Sequence, residues 1–420
     1  MTLLMESQTV EQQAINAKEA AKTLKMLPTK DKNDALIILA DELDDHISFI
    51  LEENKKDLEK GKEKGYDKAY MDRLTLTEDR IKDFADGLRN LVGLEDPSGT
   101  ILESWELENG LQAEKVAVPL GVIGMIYEAR PNVTADAAGL ALKSGNAIVL
   151  KGGSSALHSN QAIVKVLHGG LAKTSIPEDA IQFISSTDRK AAQELFTMKE
   201  HIDVLIPRGG GALINAVVEN ATVPVLETGV GNCHIYIDEF ADPDKALSIA
   251  VNAKTDRPAV CNAAETLIIH ENWMAEHHDK LNAALKQHHI QAYGDDAALK
   301  YIDGAFPASE SDWAEEYLSL DIAVKTAANL EEAVRHIDKY GTKHSEAIIT
   351  EHSETADQFL NEVDAAAVYH NASTRFTDGS ALGFGAEIGI STQKLHARGP
   401  MGLPALTTTK LKLKGNGQIR

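Results

Sequence analysis

The stretch Ala147-Ile148-Val149-Leu150-Lys151-Gly152-Gly153-Ser154-Ser155 decides the fold. Its four apolar residues read as a short buried strand, and they run straight into a lysine, two glycines and two serines. From about His158 to Leu171 a helical pattern follows. Strand, glycine turn and helix in that order make one unit of a parallel sheet, because a parallel neighbour needs a crossover that a helix supplies.

The same unit recurs on both sides. Upstream, 116–126 reads as one apolar strand, and 136–143 as a helix closed by Gly145. Downstream, 181–184 precedes a helix near 190–198, and 203–206 leads through Arg208-Gly209-Gly210-Gly211 into a helix from Ala212. Beyond Gly231 the alternation begins again, with strands at 234–237, 267–269, 290–293, 322–324, 347–349 and 366–369. This predicts a second α/β domain. The two-residue period of Lys410, Leu411, Lys412, Leu413 and Lys414 predicts a last strand over 406–414.

The first hundred residues are helical and carry little chemistry. Val10, Ala14, Ala17, Ala21 and Leu24, then Leu36, Leu39, Ala40, Leu43, Ile47, Ile50 and Leu51, recur at helical spacing on either side of Leu27-Pro28-Thr29. Thr77 is placed to cap a third helix, and the charge run 52–64 reads as a solvated face.

Composition removes several function classes. The 420 residues hold 42 Lys and Arg against 64 Asp and Glu, a net charge of -22 that disfavours nucleic acid and anionic membrane surfaces. No run approaches the roughly 18 apolar residues of a membrane span, and the N-terminus lacks the basic start of a leader. The two cysteines offer neither a metal-ligand spacing nor a disulfide framework, so the reading is cytoplasmic, with no metal.

Chemistry gathers at two places. Glycine-rich turns at the carboxyl ends of strands are where open α/β sheets bind ligands, and a helix N-terminus there suits a phosphate. Two such turns suggest a nucleotide, although neither the G-x-G-x-x-G fingerprint nor a P-loop is present. The other place is Thr255-Asp256-Arg257-Pro258-Ala259-Val260-Cys261-Asn262, which puts a thiol at the end of an element, four residues after an arginine. A cation or donated N–H groups would favour its thiolate. On the residues alone, Cys261 is equally a nucleophile or a small buried apolar residue.

Taken together, the motifs resemble the aldehyde dehydrogenase superfamily. Those that carry the resemblance are Tyr127-Glu128-Ala129-Arg130-Pro131-Asn132-Val133-Thr134, Leu150-Lys151-Gly152-Gly153-Ser154, Ile206-Pro207-Arg208-Gly209-Gly210, Glu227-Thr228-Gly229-Val230-Gly231-Asn232-Cys233-His234, the Cys261 stretch and Leu395-His396-Ala397-Arg398-Gly399-Pro400-Met401-Gly402-Leu403. Within the superfamily they look like the branch that reduces L-glutamyl 5-phosphate with NADPH to L-glutamate 5-semialdehyde and phosphate, the second step of proline biosynthesis.

The resemblance implies two doubly wound α/β domains plus a small β oligomerisation flap. It assigns 1–102 and 118–230 to NADP(H), 231–385 to catalysis, 103–117 and 400–420 to the flap, and 386–399 to a return segment. Cys261 is implied as the thioacyl nucleophile, with Asn132 and the Cys261 N–H as oxyanion donors; Glu227 matches the glutamate that activates water in hydrolytic relatives and is read here as a proton shuttle or as orienting Cys261, its role left open, with a wording that departs from the superfamily at Thr228 and Val230. Lys151, Ser154, Ser155, Gly209, Gly210 and Glu316 are implied at the cofactor. Serine where NAD-preferring relatives carry a glutamate favours NADPH. Arg130, Arg257, His396 and Arg398 are implied around the substrate, whose phosphate and carboxylate call for cations. A homo-oligomer is implied, and association with glutamate 5-kinase is admitted. The alternatives are a CoA-acylating or hydrolytic aldehyde dehydrogenase and a non-catalytic nucleotide-binding relative.

Overall fold

A computed structural model describes residues 8–420. The sequence-based reading of the N-terminus rests partly on residues 1–7, which lie outside the described residues. The described chain opens with helices α1 (Val10–Leu24), α2 (Thr29–Asp45), α3 (Ile47–Glu63), α4 (Lys68–Leu74) and α5 (Glu78–Val92). Strands β1 (Ile101–Glu106), β2 (Gln112–Pro119) and β3 (Val122–Tyr127) lead into α6 (Asn132–Lys143), β4 (Ala147–Gly152) and α7 (Leu157–Leu171). Then come β5 (Ile181–Phe183), α8 (Arg189–Thr197), β6 (Val204–Arg208) and α9 (Gly211–Asn220).

The second half runs β7 (Cys233–Ile237), α10 (Pro243–Thr255), β8 (Ala264–His270), α11 (Glu271–Gln287), β9 (Gln291–Gly294), β10 (Phe306–Pro307) and β11 (Asp321–Ala327). It continues α12 (Leu330–Tyr340), β12 (Ser345–Ile349), α13 (Ser353–Glu362), β13 (Ala367–His370), β14 (Ile390–Ser391) and β15 (Gly399–Pro400), and ends on β16 (Thr407–Lys414).

Internal contacts divide the chain into two units. The first runs to Thr228 and takes back Gly383–Gly389 and Met401–Arg420; the second comprises Gly229–Leu382 and Ile390–Pro400. In the first unit a parallel sheet has the order β5-β4-β3-β6. Its central strands β3 and β4 are buried along their whole length and mostly apolar, because helices such as α1, α6 and α7 pack against the sheet. In the second unit seven parallel strands run β10-β9-β11-β8-β7-β12-β13 over two apolar clusters, one around Trp273 and Met274 and one around Phe359. Both are doubly wound α/β sheets.

The stretch 116–126 is not one strand. Gly121, with φ of 126°, turns the chain in the left-handed region, so that β2 leaves for a different sheet while β3 starts the parallel one. A side chain at Gly121 would also strike the Asp203 carboxylate, which accepts from the Val122 N–H at 2.8 Å. β2 instead forms an antiparallel sheet with β1 and β16, whose outer residues are exposed.

The helical run 36–51 is also divided. His46, in a non-helical conformation, ends α2 and begins α3, and the charge run 52–64 belongs largely to α3. Thr77 caps α5, accepting from the Arg80 N–H at 3.2 Å.

Candidate active site

In the order β5-β4-β3-β6 the chain winds outward from β3 in both directions, so the carboxyl end of β3 is the switch point where open sheets receive ligands. Of the sequence-derived cofactor candidates, Lys151, Ser154, Ser155, Gly209 and Gly210 lie at the ends of the neighbouring strands β4 and β6, whereas Glu316 lies in the second unit. Lys151 is buried near the end of β4, its amine donates to the Gly152 carbonyl at 3.0 Å, and burial lowers its pKa. Exposed Ser154 and half-buried Ser155 follow in a short 3-10 turn, where the Ser155 hydroxyl accepts from the Tyr70 hydroxyl at 3.1 Å. On the other side of β3, Gly209 and Gly210 lead from β6 into α9, both exposed.

Carboxylates hold the helix N-termini at both turns. The Gly210 N–H donates to Glu128 Oε2 at 3.1 Å, and a β-carbon on Gly209 would lie 2.7 Å from the same oxygen. At α7 the buried Asp57, reaching from α3, accepts from the N–H groups of His158 and Ser159 at 3.2 and 2.8 Å and from the Ser159 hydroxyl at 2.7 Å. The α7 turn is therefore capped from within the protein, while the α9 turn carries an anionic oxygen from an exposed side chain.

Asn132 opens α6 directly after the β3 turn, and its amide Nδ2 donates to Asp136 Oδ2 at 3.0 Å, one helical turn on. Burial pushes the Asp136 carboxyl up to about 6, against the opposing pull of that bond. The Asn132 amide is thus held by one hydrogen and keeps a second to donate.

In the second unit Cys261 lies in the turn between α10 and β8, partly exposed. Its neighbours are pinned. The Asn262 amide donates to the Thr377 carbonyl at 2.9 Å, Thr374 Oγ1 donates to the Asn262 carbonyl at 2.8 Å, and Arg375 bonds Asp256 at 3.0 Å. The Cys261 carbonyl accepts from the Cys233 thiol at 3.2 Å. Cys233 is fully buried, and burial pushes its thiol pKa well up, so it remains a protonated donor.

Glu316 follows a short 3-10 turn in a loop, half-buried, and accepts from the Gly231 N–H at 2.9 Å; burial raises its pKa. Gly231 in turn packs on the Cys261 carbonyl. Cys261 and Glu316 are therefore two contacts apart.

The remaining residues are more dispersed. Glu227 is half-buried in the first unit, just after Leu226, whose N–H donates to Leu205 of β6 at 2.9 Å. Arg130 is half-buried between β3 and α6. Arg257 is exposed in the Cys261 turn. His396 and Arg398 lie between β14 and β15, where Arg398 pairs with Asp364 at 2.8 Å. Lys394 joins the same carboxylate at 2.6 Å, and the two cations hold Asp364 well below the usual carboxylate range. Among the described residues no cluster of three or more His, Cys, Asp or Glu is arranged to hold a metal.

The profile of the aldehyde dehydrogenase family matches residues 3–300. The chain belongs to that family. It is 69% identical over 411 residues to gamma-glutamyl phosphate reductase 2 of Bacillus licheniformis, covering 98% of this chain and 97% of that protein. Gamma-glutamyl phosphate reductase of Bacillus cereus is 56% identical over 406 residues, covering 97% and 98%. The crystal structure of gamma-glutamyl phosphate reductase from Thermotoga maritima superposes with a TM-score of 0.96 at 48% identity, covering 98% of this chain and 100% of that one. An acetylating aldehyde dehydrogenase from Geobacillus thermoglucosidasius shares the fold, with a TM-score of 0.70 at 18% identity over 98% and 97% of the chains.

Within this aldehyde dehydrogenase fold, the sequence reading missed the residues that support the site. Glu128, Asp57 and Asp136 bear on the first unit's turns, and Lys254 and Glu265 flank the Cys261 turn. Glu128 alone stood inside a quoted motif; Asp136 is readable only as the i+4 partner of Asn132, and Asp57, Lys254 and Glu265 carry no local signal because their partners are set by the fold.

Proposed function

We propose that the chain reduces L-glutamyl 5-phosphate to L-glutamate 5-semialdehyde and phosphate with NADPH, the second step of proline biosynthesis. The single observation that carries this reading is the likeness to gamma-glutamyl phosphate reductases over nearly the whole of both chains.

Cys261 attacks the acyl carbon as its thiolate; the C–S bond forms, the C–O bond to phosphate breaks, and phosphate leaves with the electron pair. A bound nicotinamide cofactor supplies the hydride that turns the thioester into aldehyde and returns the thiolate. Each step places negative charge on the carbonyl oxygen, and the free hydrogen of the Asn132 amide, with the Cys261 N–H, is the donor set for it; one such donor is worth about 3 kcal/mol. Glu227 serves as a proton carrier or orienting group. Arg130, Arg257, His396 and Arg398 take the phosphate and α-carboxylate, Arg398 exchanging Asp364 for the substrate.

The first unit fits the cofactor. The Gly210 N–H already binds an anionic oxygen, glycines line the turn, and Lys151, Ser154 and Ser155 stand on the other side of β3. Glu316 is assigned to the nicotinamide ribose. Serine at 154 leaves no carboxylate to repel a 2′-phosphate, which supports NADPH over NADH. Exposed Ile101, Leu102, Trp105, Leu411 and Leu413 on the β1-β2-β16 sheet support its use in joining subunits. The charge of -22 favours a small-molecule substrate over nucleic acid, and among the described residues no helix is long and apolar enough to cross a membrane. A cytoplasmic location and association with glutamate 5-kinase complete the reading.

The test is the reverse reaction, followed by NADPH absorbance with glutamate semialdehyde, NADP and phosphate or arsenate. Wild type is expected to turn over only when one of the two oxyanions is present, and Cys261→Ala not at all. A rate indifferent to phosphate would assign the chain to the hydrolytic or CoA-acylating reading instead.

A further inference from the structure

Lys254 and Glu265 stand at the two ends of the turn that carries Cys261. Lys254 is the penultimate residue of α10 and Glu265 the second residue of β8, and their side chains meet at 2.5 Å with neither exposed to solvent. A buried pair of charges is poor at stabilising a fold, since the cost of removing both ions from water roughly cancels their attraction, and apolar residues of similar size often do as well. Its presence across the two ends of a reactive turn therefore calls for a reason other than stability.

The second oxygen of Glu265 supplies one. It accepts from the Leu318 N–H at 3.4 Å, and Leu318 is a non-glycine residue with φ of 56°, in the left-handed region that costs a bulky side chain energy. The Tyr317 ring lies 5.9 Å from the Lys254 amine. One residue further back, Glu316 accepts from Gly231, and Gly231 packs on the Cys261 carbonyl. The ion pair is thus the post to which the Cys261 turn and the strained Glu316–Leu318 loop are both tied, and the circuit closes through Gly231.

We infer that Lys254 and Glu265 are a positioning pair: they hold the Cys261 turn and the Glu316 loop in one register, so that the thiol and the carboxylate are presented together. Neither side chain touches substrate. Burial pushes Glu265 up to about 7 while Lys254 pulls it down, and Glu316, Asp321 and Cys233 are the other charged or titratable groups that act on the pair. The inference rests on the assignment of Cys261 as the nucleophile.

The experiment uses the full-length protein with Lys254→Met/Glu265→Met, which replaces the pair by apolar chains of similar length, and Glu265→Gln, which keeps shape and an acceptor. Four quantities are measured at one pH: the thermal midpoint, kcat and KM of the phosphate-dependent reverse reaction, and the rate of Cys261 alkylation by iodoacetamide located by mass spectrometry. The double variant is expected to stay folded, lose about tenfold or more in kcat with KM within about threefold, and alter the alkylation rate by about threefold or more. Glu265→Gln is expected to lose less kcat than the double variant. If the double variant does not fold, Glu265→Gln carries the test, and wild-type kcat and alkylation in it overturn the inference. A folded double variant with wild-type kcat and alkylation does the same. If wild type itself shows no phosphate-dependent turnover, the functional reading fails, and the alkylation rates still decide whether the pair sets the presentation of Cys261.

Discussion

Gly231 lies so close to Cys261 that a β-carbon on it would stand 1.5 Å from the Cys261 carbonyl oxygen. That neighbour is backbone and cannot swing aside. Glycine is required there by close approach alone, because its φ is not in the left-handed region. Gly231→Ala is expected to push the Cys261 turn away from its place and to cost about a hundredfold or more in kcat/KM. Turnover and Cys261 alkylation, measured together on the folded variant, check this; unchanged values for both would show that the turn tolerates the shift.

Asp136 joins stability and activity with opposite signs. Its folded pKa of about 6 lies above that of an unfolded carboxyl, so it favours folding at low pH and that contribution is lost as pH rises through about 6. Its ionised form is the better acceptor for the Asn132 amide. Asp136→Asn is therefore expected to melt higher than wild type at pH 8, by clearly more than at pH 5, where only part of that contribution has been lost, and to turn over more slowly at pH 8. In wild type kcat should fall as pH drops through about 6, and this limb should be absent from the variant. A limb that persists in Asp136→Asn assigns it to another group.

Ser154 is exposed, so substitution there reads cofactor choice with little effect on stability, within about 0.5 kcal/mol. Ser154→Glu places a carboxylate where the 2′-phosphate is proposed to lie. The ratio of kcat/KM for NADPH over NADH is expected to fall about tenfold or more. An unchanged ratio would move the phosphate contact elsewhere.

Asp57 satisfies two N–H groups and a hydroxyl at the start of α7 while buried. Asp57→Ala leaves these donors unpaired and is expected to destabilise by about 2–3 kcal/mol, seen as a lower urea midpoint, with Asp57→Asn losing less. Equal midpoints for Ala and wild type would mean that water replaces the carboxylate at no cost.

The contrast between Lys151 and Asp57 shows what a sequence reveals. Lys151-Gly152-Gly153 is legible because a glycine pair between an apolar strand and a helical period has few structural meanings, and the structure puts it at the end of β4. Likewise the periodicities over α1 and α2 mark their buried faces. Asp57 sits in a run of lysines and glutamates that reads as solvent-facing, yet it is buried, because its partner lies 102 residues away in α7. Lys254 and Glu265 are hidden for the same reason: a charged residue next to an apolar strand looks like a boundary until the fold brings its counter-ion to it. The break at His46 has no glycine or proline to announce it, and Gly121 is camouflaged by the apolar residues around it. Cys261 was visible as a candidate from its turn-forming neighbours, whereas the Gly231 contact that sets its backbone was not.

The pairing of β16 with β2 has a consequence for how the protein is made. Lys414 faces Gln112 in that ladder and its amine bonds Glu114, 300 positions earlier. All residues of the second unit are synthesised between the two strands. While the ribosome works through them, the open edge of β2 is a nascent strand without its neighbour, able to pair with the same edge of another growing chain. The alternating lysines of β16 arrive only after the second unit, and translation speed through that unit sets how long the edge stays uncovered.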